Sequence, residues 1–442
     1  MGRKRRDASL AAPLDARKRR RPEQASGGWA SLATDIVGLV TGRLLDDSDI
    51  AGYILFRAVC SAWRACTPPP AEHDPRNRPR GWIALCDGDA VRPEEAGEMA
   101  LFHTRTGMRL LVGLPKLRGY RVVCFSDGLL VLVHKRSAAV RVLNPLTHAA
   151  VDFPSLASVY HEFIRDMCSF RTMNAAVCMT SSSIAVVVWF PHTQLVAAAE
   201  AGSDRWVYRK LYFRNALLFQ ERLYAILPGF FEIIQLYPTP PLGHDVVARV
   251  PYINGLYEML LVEVGGRMLL VLSHHFARAR PLQLQQSREG SKMKWFNQLS
   301  FKLYQVDLNN NSSRRKLTPV RCLGEQALFL SKTGCISVSV RDVPSLSGNS
   351  IYFSTNLHPV LMHSLTTGMS EELAAECQVH DREGRIRPSV RPFTIVDHLL
   401  TFCHPQEWTK GLMFHEYHFV PESFKELWKK IRAKEWQLRT PP

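Results

Sequence analysis

Residues Tyr120–Val133 read YRVVCFSDGLLVLV. Two apolar runs, Tyr120–Phe125 and Leu129–Val133, flank the polar triplet Ser126-Asp127-Gly128. Runs of this length rich in Val, Phe and Tyr are strand-like, and an Asp-Gly pair between them supplies the turn of an antiparallel hairpin.

Comparable hairpins recur near residues 182, 221, 266 and 333, with Gln220-Glu221-Arg222, Gly265-Gly266-Arg267 and Lys332-Thr333-Gly334 as turns. The gaps are irregular but mostly near the roughly 40–50-residue period of propeller blades. The widest gap holds a Gln/Arg/Lys-rich insertion, Pro281–Lys294. Residues 81–370 are therefore predicted to form a β-propeller of roughly five to seven blades, in a chain that is mainly β. A two-sheet sandwich or split barrel is the competing arrangement, and the length of the strand-rich region counts against it.

Upstream, the period changes. In the stretch from Trp29 to Arg64, Leu32, Ile36, Leu39, Val40 and Leu44 fall at steps of three and four, so they form one apolar face of a helix. Thr34 and Asp35 offer capping oxygens at its start, and Asp46–Asp49 interrupt it. A second helix is expected from Ser48 or Asp49, and a third carries Cys60, Trp63 and Arg64 before Pro68. Three helices this short cannot bury so much apolar surface among themselves.

This stretch resembles an F-box, the adaptor-docking module of cullin-RING (SCF-type) ubiquitin ligases. The resemblance rests on Trp29, Leu32, Asp35, Ile36, Arg43 and Leu44, then on Phe56, Arg57, Val59, Cys60, Trp63 and Arg64. Where that family has Leu-Pro this chain has Leu32-Ala33, which removes a preset helix-start φ. The resemblance implies that Leu32, Ile36, Val40, Leu44, Phe56, Val59, Cys60 and Trp63 supply adaptor-facing and core positions. Which of them face the adaptor is not separable from sequence.

The strand-rich region resembles the plant KIB-type β-propeller domain, which accompanies F-boxes. The features are Asn144-Pro145-Leu146-Thr147, Trp189-Phe190, Asp204-Arg205-Trp206, Leu261-Val262-Glu263 with Gly266, Phe301-Lys302-Leu303-Tyr304, Ala327-Leu328-Phe329-Leu330 and Gly348–Phe353. Their order across the region carries the resemblance; each alone is weak. Together the two resemblances imply a substrate-recognition subunit, with a Skp-family adaptor and cullin-RING ligase at one end and a protein substrate on the propeller.

Composition agrees with a folded chain: 46% of the 442 residues are hydrophobic and 10% aromatic. No apolar run approaches the roughly 18 residues of a membrane span, and no apolar core follows the charged N-terminus, so a soluble intracellular protein is expected. The ten cysteines include no Cys-x-x-Cys pair, so buried free thiols are expected in place of disulfides or zinc.

The net charge of +16 is concentrated at the start. Lys4, Arg5 and Arg6 form one basic cluster, and Arg17, Lys18, Arg19, Arg20 and Arg21 a second. The pair resembles a bipartite nuclear-import signal, implying an importin partner and a location in the nucleus, with the cytoplasm as a second compartment. The competing reading is a nuclear nucleic-acid-binding protein using that tail, but basic–aromatic interleaving is missing.

The organisation expected is a basic tail over 1–28, the F-box over 29–67, a Pro-rich linker over 68–80 with little to bury, the propeller over 81–370 and an extension over 371–442. That extension ends in a helix: Pro421–Glu426 has capping-box spacing, and Phe424, Leu427, Trp428 and Ile431 form an apolar stripe opposite lysines. It is expected to pack on the propeller.

No P-loop, dinucleotide fingerprint, nucleophile elbow or His-Glu-x-x-His occurs, and the His415/His418 pair lacks partners at ligand spacing. No catalytic residue, cofactor or metal is assigned. A propeller enzyme would be betrayed by a titratable cluster at the central channel.

Overall fold

The structure is a computed structural model. It describes residues 28–46, 49–70, 75–84, 97–103, 108–159, 173–180, 183–190, 194–239, 241–275, 299–308, 316–331, 334–353, 360–373, 379–380 and 386–387, with residues 396, 399–400 and 403. The basic clusters of the tail, the 281–294 insertion, the His415/His418 pair and the expected C-terminal helix lie outside the described residues.

The hairpin at Tyr120–Val133 forms as predicted. Strand Tyr120–Ser126 pairs antiparallel with Leu129–His134, and Ser126 opposite Leu129 leaves Asp127-Gly128 as the two-residue turn. Both turn residues have positive φ, 48° and 78°, the backbone sense that matches the twist of the flanking strands. The same two-residue geometry recurs at Gln220-Glu221 (φ 49° and 61°) and at Gly265-Gly266 (φ 54° and 74°).

Six sheets follow one another along the chain. Blade one has three strands, Trp82–Ala84, Glu98–His103 and Arg109–Gly113. Blades two to five are four-stranded antiparallel meanders over 120–155, 174–210, 216–249 and 256–320. Blade six has five strands and contains a parallel pair, Gln326–Leu330 beside Ser350–Phe353. A small separate ladder joins Val379–His380 to Ile386–Arg387.

Closure of the ring is visible in the core, which is divided into inter-blade clusters. Val123, Val142, Val186 and Phe190 join blades two and three, while Val187, Trp189, Phe213 and Leu236 join three and four. Ile233, Val250, Leu261 and Leu270 join four and five, and Leu260, Val271, Leu328 and Ile351 join five and six. Ala327, Phe329 and Tyr352 then pack on Ile83 and Phe102 of blade one, whose Trp82 and Leu101 pack on Val122 and Leu130 of blade two. Six interfaces for six blades make a closed propeller. Ile184–Phe190 is buried at every position because successive residues point to opposite neighbours, both of which are blades.

Blade one was the least legible in the sequence. Its first two strands, Trp82–Ala84 and Glu98–His103, lie far apart in the sequence, so no hairpin signal announces it. In blade six the strand at the axis, Cys335–Ser339, is the second member of its hairpin; it stands beside Leu256–Val264 of blade five.

Before the propeller come three helices, α1 (Thr34–Asp46), α2 (Ile50–Val59) and α3 (Ser61–Ala65). Asp49 caps α2: its Oδ1 accepts from Gly52 N at 2.8 Å. Cys60 caps α3, its Sγ accepting from Trp63 N at 3.4 Å.

Candidate functional site

The helical module has two sides, and the structure separates what periodicity left together. Along α1 the inward residues are Val37, Thr41 and Leu45, spaced by four. The Thr41 hydroxyl donates to the Val37 carbonyl at 2.9 Å, which lets a polar residue sit on the buried face. Ile36, Leu39 and Val40 of the expected apolar face are 40, 70 and 37% exposed. On α2, Leu55 and Val59 are 57 and 62% exposed. α1 is apolar around more than half its girth, and the side turned inward is the one that meets Ile50 and Tyr53 of α2.

The remaining residues expected to serve the adaptor sit deeper. Leu32, Leu44, Phe56 and Cys60 are half-buried. Trp63 is buried, stacked on Phe56 with ring centroids 4.2 Å apart, and its indole N–H donates to the Trp29 carbonyl at 3.0 Å. Trp63 therefore belongs to the module's own core. Arg57 ties α2 to the chain beyond α3, donating to Thr67 Oγ1 at 2.9 Å, and Tyr53 Oη donates to the Pro68 carbonyl at 2.6 Å.

The inward side leans on the propeller. Leu146 of blade two packs with Leu45, Ile50 and Tyr53, and Ala51 joins the cluster between blades one and two. Leu146 stands in the Asn144-Pro145-Leu146-Thr147 turn, which Asn144 organises. Its Oδ1 accepts from Leu146 N and Thr147 N at 3.0 and 3.1 Å, and its Nδ2 donates to the Asn77 carbonyl at 3.0 Å.

Residues 76–80 correct an expectation. Read as linker with little to bury, they enter the propeller axis: Asn77, Arg78 and Pro79 are buried. Arg78 Nη1 lies 2.7 Å from Asp127 Oδ2 and 3.7 Å from Glu221 Oε2. Arg80 Nε lies 2.9 Å from Asp127 Oδ1, and its Nη2 contacts Glu221 Oε1. Asp127 and Glu221 are the turn residues of blades two and four. The sequence marks them only as turn formers, and Glu221 keeps a positive φ without being glycine. Pro79 approaches so closely that a Cβ on Gly128 would stand 2.4 Å from its carbonyl oxygen.

Burial opposes charge on Arg80, but Asp127 and Glu221 outweigh it and hold its pKa above the ordinary guanidinium value. Nearby, Glu263 of blade five is exposed as a whole, yet partial desolvation first and Asp127 second push its carboxyl above the usual range, with Arg80 pulling the other way. A titratable cluster thus stands at the axis, where a propeller enzyme would keep one. Both guanidinium groups are engaged by carboxylates, which makes it a clasp between the blades. Among the described residues no group of three or more His, Cys, Asp or Glu is placed to hold a metal.

Burial pushes the Cys178 thiol up to about 12, so it is an inert core group. Cys124, Cys178 and Cys403 are buried as expected, whereas Cys60 and Cys335 are half-buried and Cys66 and Cys322 are exposed. No helix among the described residues is long and apolar enough to cross a membrane.

An Arabidopsis thaliana protein whose name marks it as a candidate F-box protein is 21% identical over 379 residues, covering 78% of this chain and 90% of that one. Among solved structures, hydrazine synthase of Kuenenia stuttgartiensis aligns with 64% of this chain and 76% of its own, at 11% identity and a TM-score of 0.31. An inactive virginiamycin B lyase from Staphylococcus aureus aligns with 61% and 71%, at 9% identity and a TM-score of 0.28. Neither likeness transfers chemistry to this chain. The family pattern of the KIB1-4 beta-propeller matches residues 80–380, two-thirds of the sequence and the whole ring of blades, and the chain belongs to that family.

Proposed function

We propose that this chain is the substrate-recognition subunit of an SCF-type ubiquitin ligase. α1–α3 dock a Skp-family adaptor, and through it the cullin-RING ligase, while the propeller holds a protein substrate. The observation that carries this reading is the set Ile36, Leu39, Val40, Leu55 and Val59. These five large apolar side chains are exposed on helices whose other side is already anchored to the propeller. Large apolar side chains that a small module leaves open to solvent mark a partner site. The similarity to a candidate F-box protein supports the same assignment.

The role needs no reacting group on this chain. Ubiquitin transfer belongs to the ligase and its conjugating enzyme, and the receptor contributes proximity by raising the effective concentration of the substrate lysine. The clasp serves that role by tying the segment after the helices to blades two and four, so that a substrate is carried at a fixed position relative to the adaptor.

The helical module leans on the propeller end that carries the Asn144–Thr147 turn and the Asp127 and Glu221 turns. The other end is free of it among the described residues, and there Tyr252, 78% exposed, lines a groove of 390 Å³ between blades four and five together with Phe231. Substrate recognition is assigned to that end, where inter-strand loops supply specificity. The basic clusters at residues 4–6 and 17–21 are proposed to bind importin, and deleting residues 1–22 from a fluorescent fusion moves it from nucleus to cytoplasm.

Co-expression with a Skp-family adaptor tests the main assignment. The full chain co-purifies with the adaptor, and the triple variant Ile36→Asp/Val40→Asp/Val59→Asp does not, while its thermal transition is unchanged. Undiminished co-purification of the triple variant would overturn the reading.

A further inference from the structure

Among the described residues, blade one is one strand short of its four-stranded neighbours. Chain direction says which strand is wanting. In blades two to four the fourth strand of the sheet leads into the axial strand of the next blade. Strand Arg109–Gly113 leads, through residues 114–119, into Tyr120–Ser126, the axial strand of blade two, so it holds the fourth position of blade one. Glu98–His103 then holds the third and Trp82–Ala84 the second. The first position, the one at the axis, has no strand among the described residues.

The axial strands of blades two to six stand side by side in order: Tyr120–Ser126, Asn174–Met179, Ala216–Phe219, Leu256–Val264 and Cys335–Ser339. Their ring is open between blade six and blade two, and the axial cavity reaches into that gap. Trp82 and Ile83 of blade one line it, as do Cys124 and Ser126 of blade two and Cys335 and Ser337 of blade six. Trp82 and Ile83 are buried, yet the axial edge of their strand pairs with no other among the described residues. Buried strand edges are almost always paired, because an unmade backbone hydrogen bond is costly there.

The path of the chain narrows the occupant. Leu399, Leu400 and Cys403 are buried among Ile83 and Phe102 of blade one and Phe329 and Tyr352 of blade six. Cys403 Sγ donates to the Tyr352 carbonyl at 3.3 Å. The chain therefore arrives at the seam where the strand is wanting, and residues 404–442 follow. Of these, Leu412–Val420 reads LMFHEYHFV between Gly411 and Pro421, which is the pattern of a strand. Its alternate positions are apolar on both sides, with Leu412, Phe414 and Val420 on one and Met413, Tyr417 and Phe419 on the other. A strand between two blades needs that: Asn174–Met179, the axial strand of blade three, is buried at every position but its last. From Cys403 to Leu412 an extended chain spans up to about 30 Å, against about 14 Å across four paired strands.

We propose that Leu412–Val420 is the axial strand of blade one, paired antiparallel with Trp82–Ala84, so that the two ends of the propeller sequence close the ring in one sheet. Closure by this strand is independent of adaptor binding.

Hydrogen–deuterium exchange of the full chain, read by peptide mass spectrometry, tests it. Amides of residues 412–420 exchange at least about a hundredfold more slowly than in an unfolded chain, and those of residues 82–84 are slow with them. Tyr417→Pro, which takes a donor from the middle of the run, accelerates exchange in both segments together. Glu407→Pro, placed before the run, accelerates neither. Fast exchange over residues 412–420 in the unaltered chain overturns the proposal, as does a Tyr417→Pro variant in which residues 82–84 stay slow. Should Tyr417→Pro fail to fold, cross-linking decides. Benzoylphenylalanine in place of Phe414 cross-links within one chain to residues 82–84 or to the flanking axial strands, residues 120–126 and 335–339. Cross-links confined to other places overturn the proposal, and so do cross-links between chains that grow with protein concentration.

Discussion

Arg78 Nη1 stands 2.7 Å from Asp127 Oδ2, with the two side chains 5 and 13% exposed. The guanidinium comes from the segment that follows the helical module, the carboxylate from a hairpin turn of blade two, and the two are far apart in sequence. An ion pair this deep is costly to form but costlier to break on one side, because the surviving charge stays buried.

Asp127→Ala is accordingly expected to destabilise the propeller by about 3–5 kcal/mol in chemical denaturation, since Arg78 and Arg80 both lose a partner. Arg78→Met together with Asp127→Leu recovers much of that loss. A double variant as unstable as Asp127→Ala would show that the clasp acts through something other than charge.

Gly128 and Gly266 separate strain from contact. Both have positive φ, 78° and 74°, but only at Gly128 would a Cβ meet another atom, the Pro79 carbonyl. Gly266→Ala should cost about 1–2 kcal/mol, the price of the left-handed backbone alone. Gly128→Ala should cost clearly more, read as a lower midpoint of thermal unfolding. Equal losses would mean that residues 76–80 can withdraw from the axis freely.

Gln220 is exposed and holds φ at 49° without a side chain in the clasp. Gln220→Gly relieves the left-handed strain and adds chain entropy to the unfolded state, for a net gain of about 0.5–1 kcal/mol. Thermal unfolding of the single variant checks it, and a loss of stability would show that the Gln220 side chain makes a contact worth more than the strain.

Glu263 supplies a pH signature. Its folded pKa is raised by partial desolvation and by the neighbouring Asp127 charge, and because the side chain keeps contact with solvent the effect is a small one. Below the ordinary carboxyl value both folded and unfolded states are neutral there, and no penalty applies. As pH rises past that value the unfolded state ionises first, and the folded state loses stability until its own carboxyl ionises. Glu263→Gln is therefore expected to stabilise the protein at neutral pH, with the gain vanishing as pH falls below about 4.5. Denaturation curves at pH 4 and pH 7 measure the difference, and a gain independent of pH would refute the linkage.

Trp63→Ala and the surface triple variant divide the helical module. Removing the buried Trp63 is expected to cost about 3–5 kcal/mol and to melt α1–α3. Loss of adaptor binding in that variant would thus report unfolding, and binding is properly tested at Ile36, Val40 and Val59, which are exposed.

Local pattern carried much of this. The Asp127-Gly128 and Gly265-Gly266 turns, the apolar runs between them and their spacing are properties of neighbouring residues, and they led to a propeller of about the right size. Asp49 before α2 and the apolar stripe of α1 were readable for the same reason. The count of six blades was not, because blade one has no tight hairpin and is completed only by packing between blades six and two. Nor was the inward side of α1: Ile36 and Val37 are both apolar, and only the placement of Tyr53 and Leu146 decides which is covered. The clasp lay furthest from local pattern. Arg78, Arg80, Asp127 and Glu221 look in sequence like two linker charges and two turn residues. Closing the ring makes them neighbours, since only a closed propeller brings the turns of blades two and four to one axis.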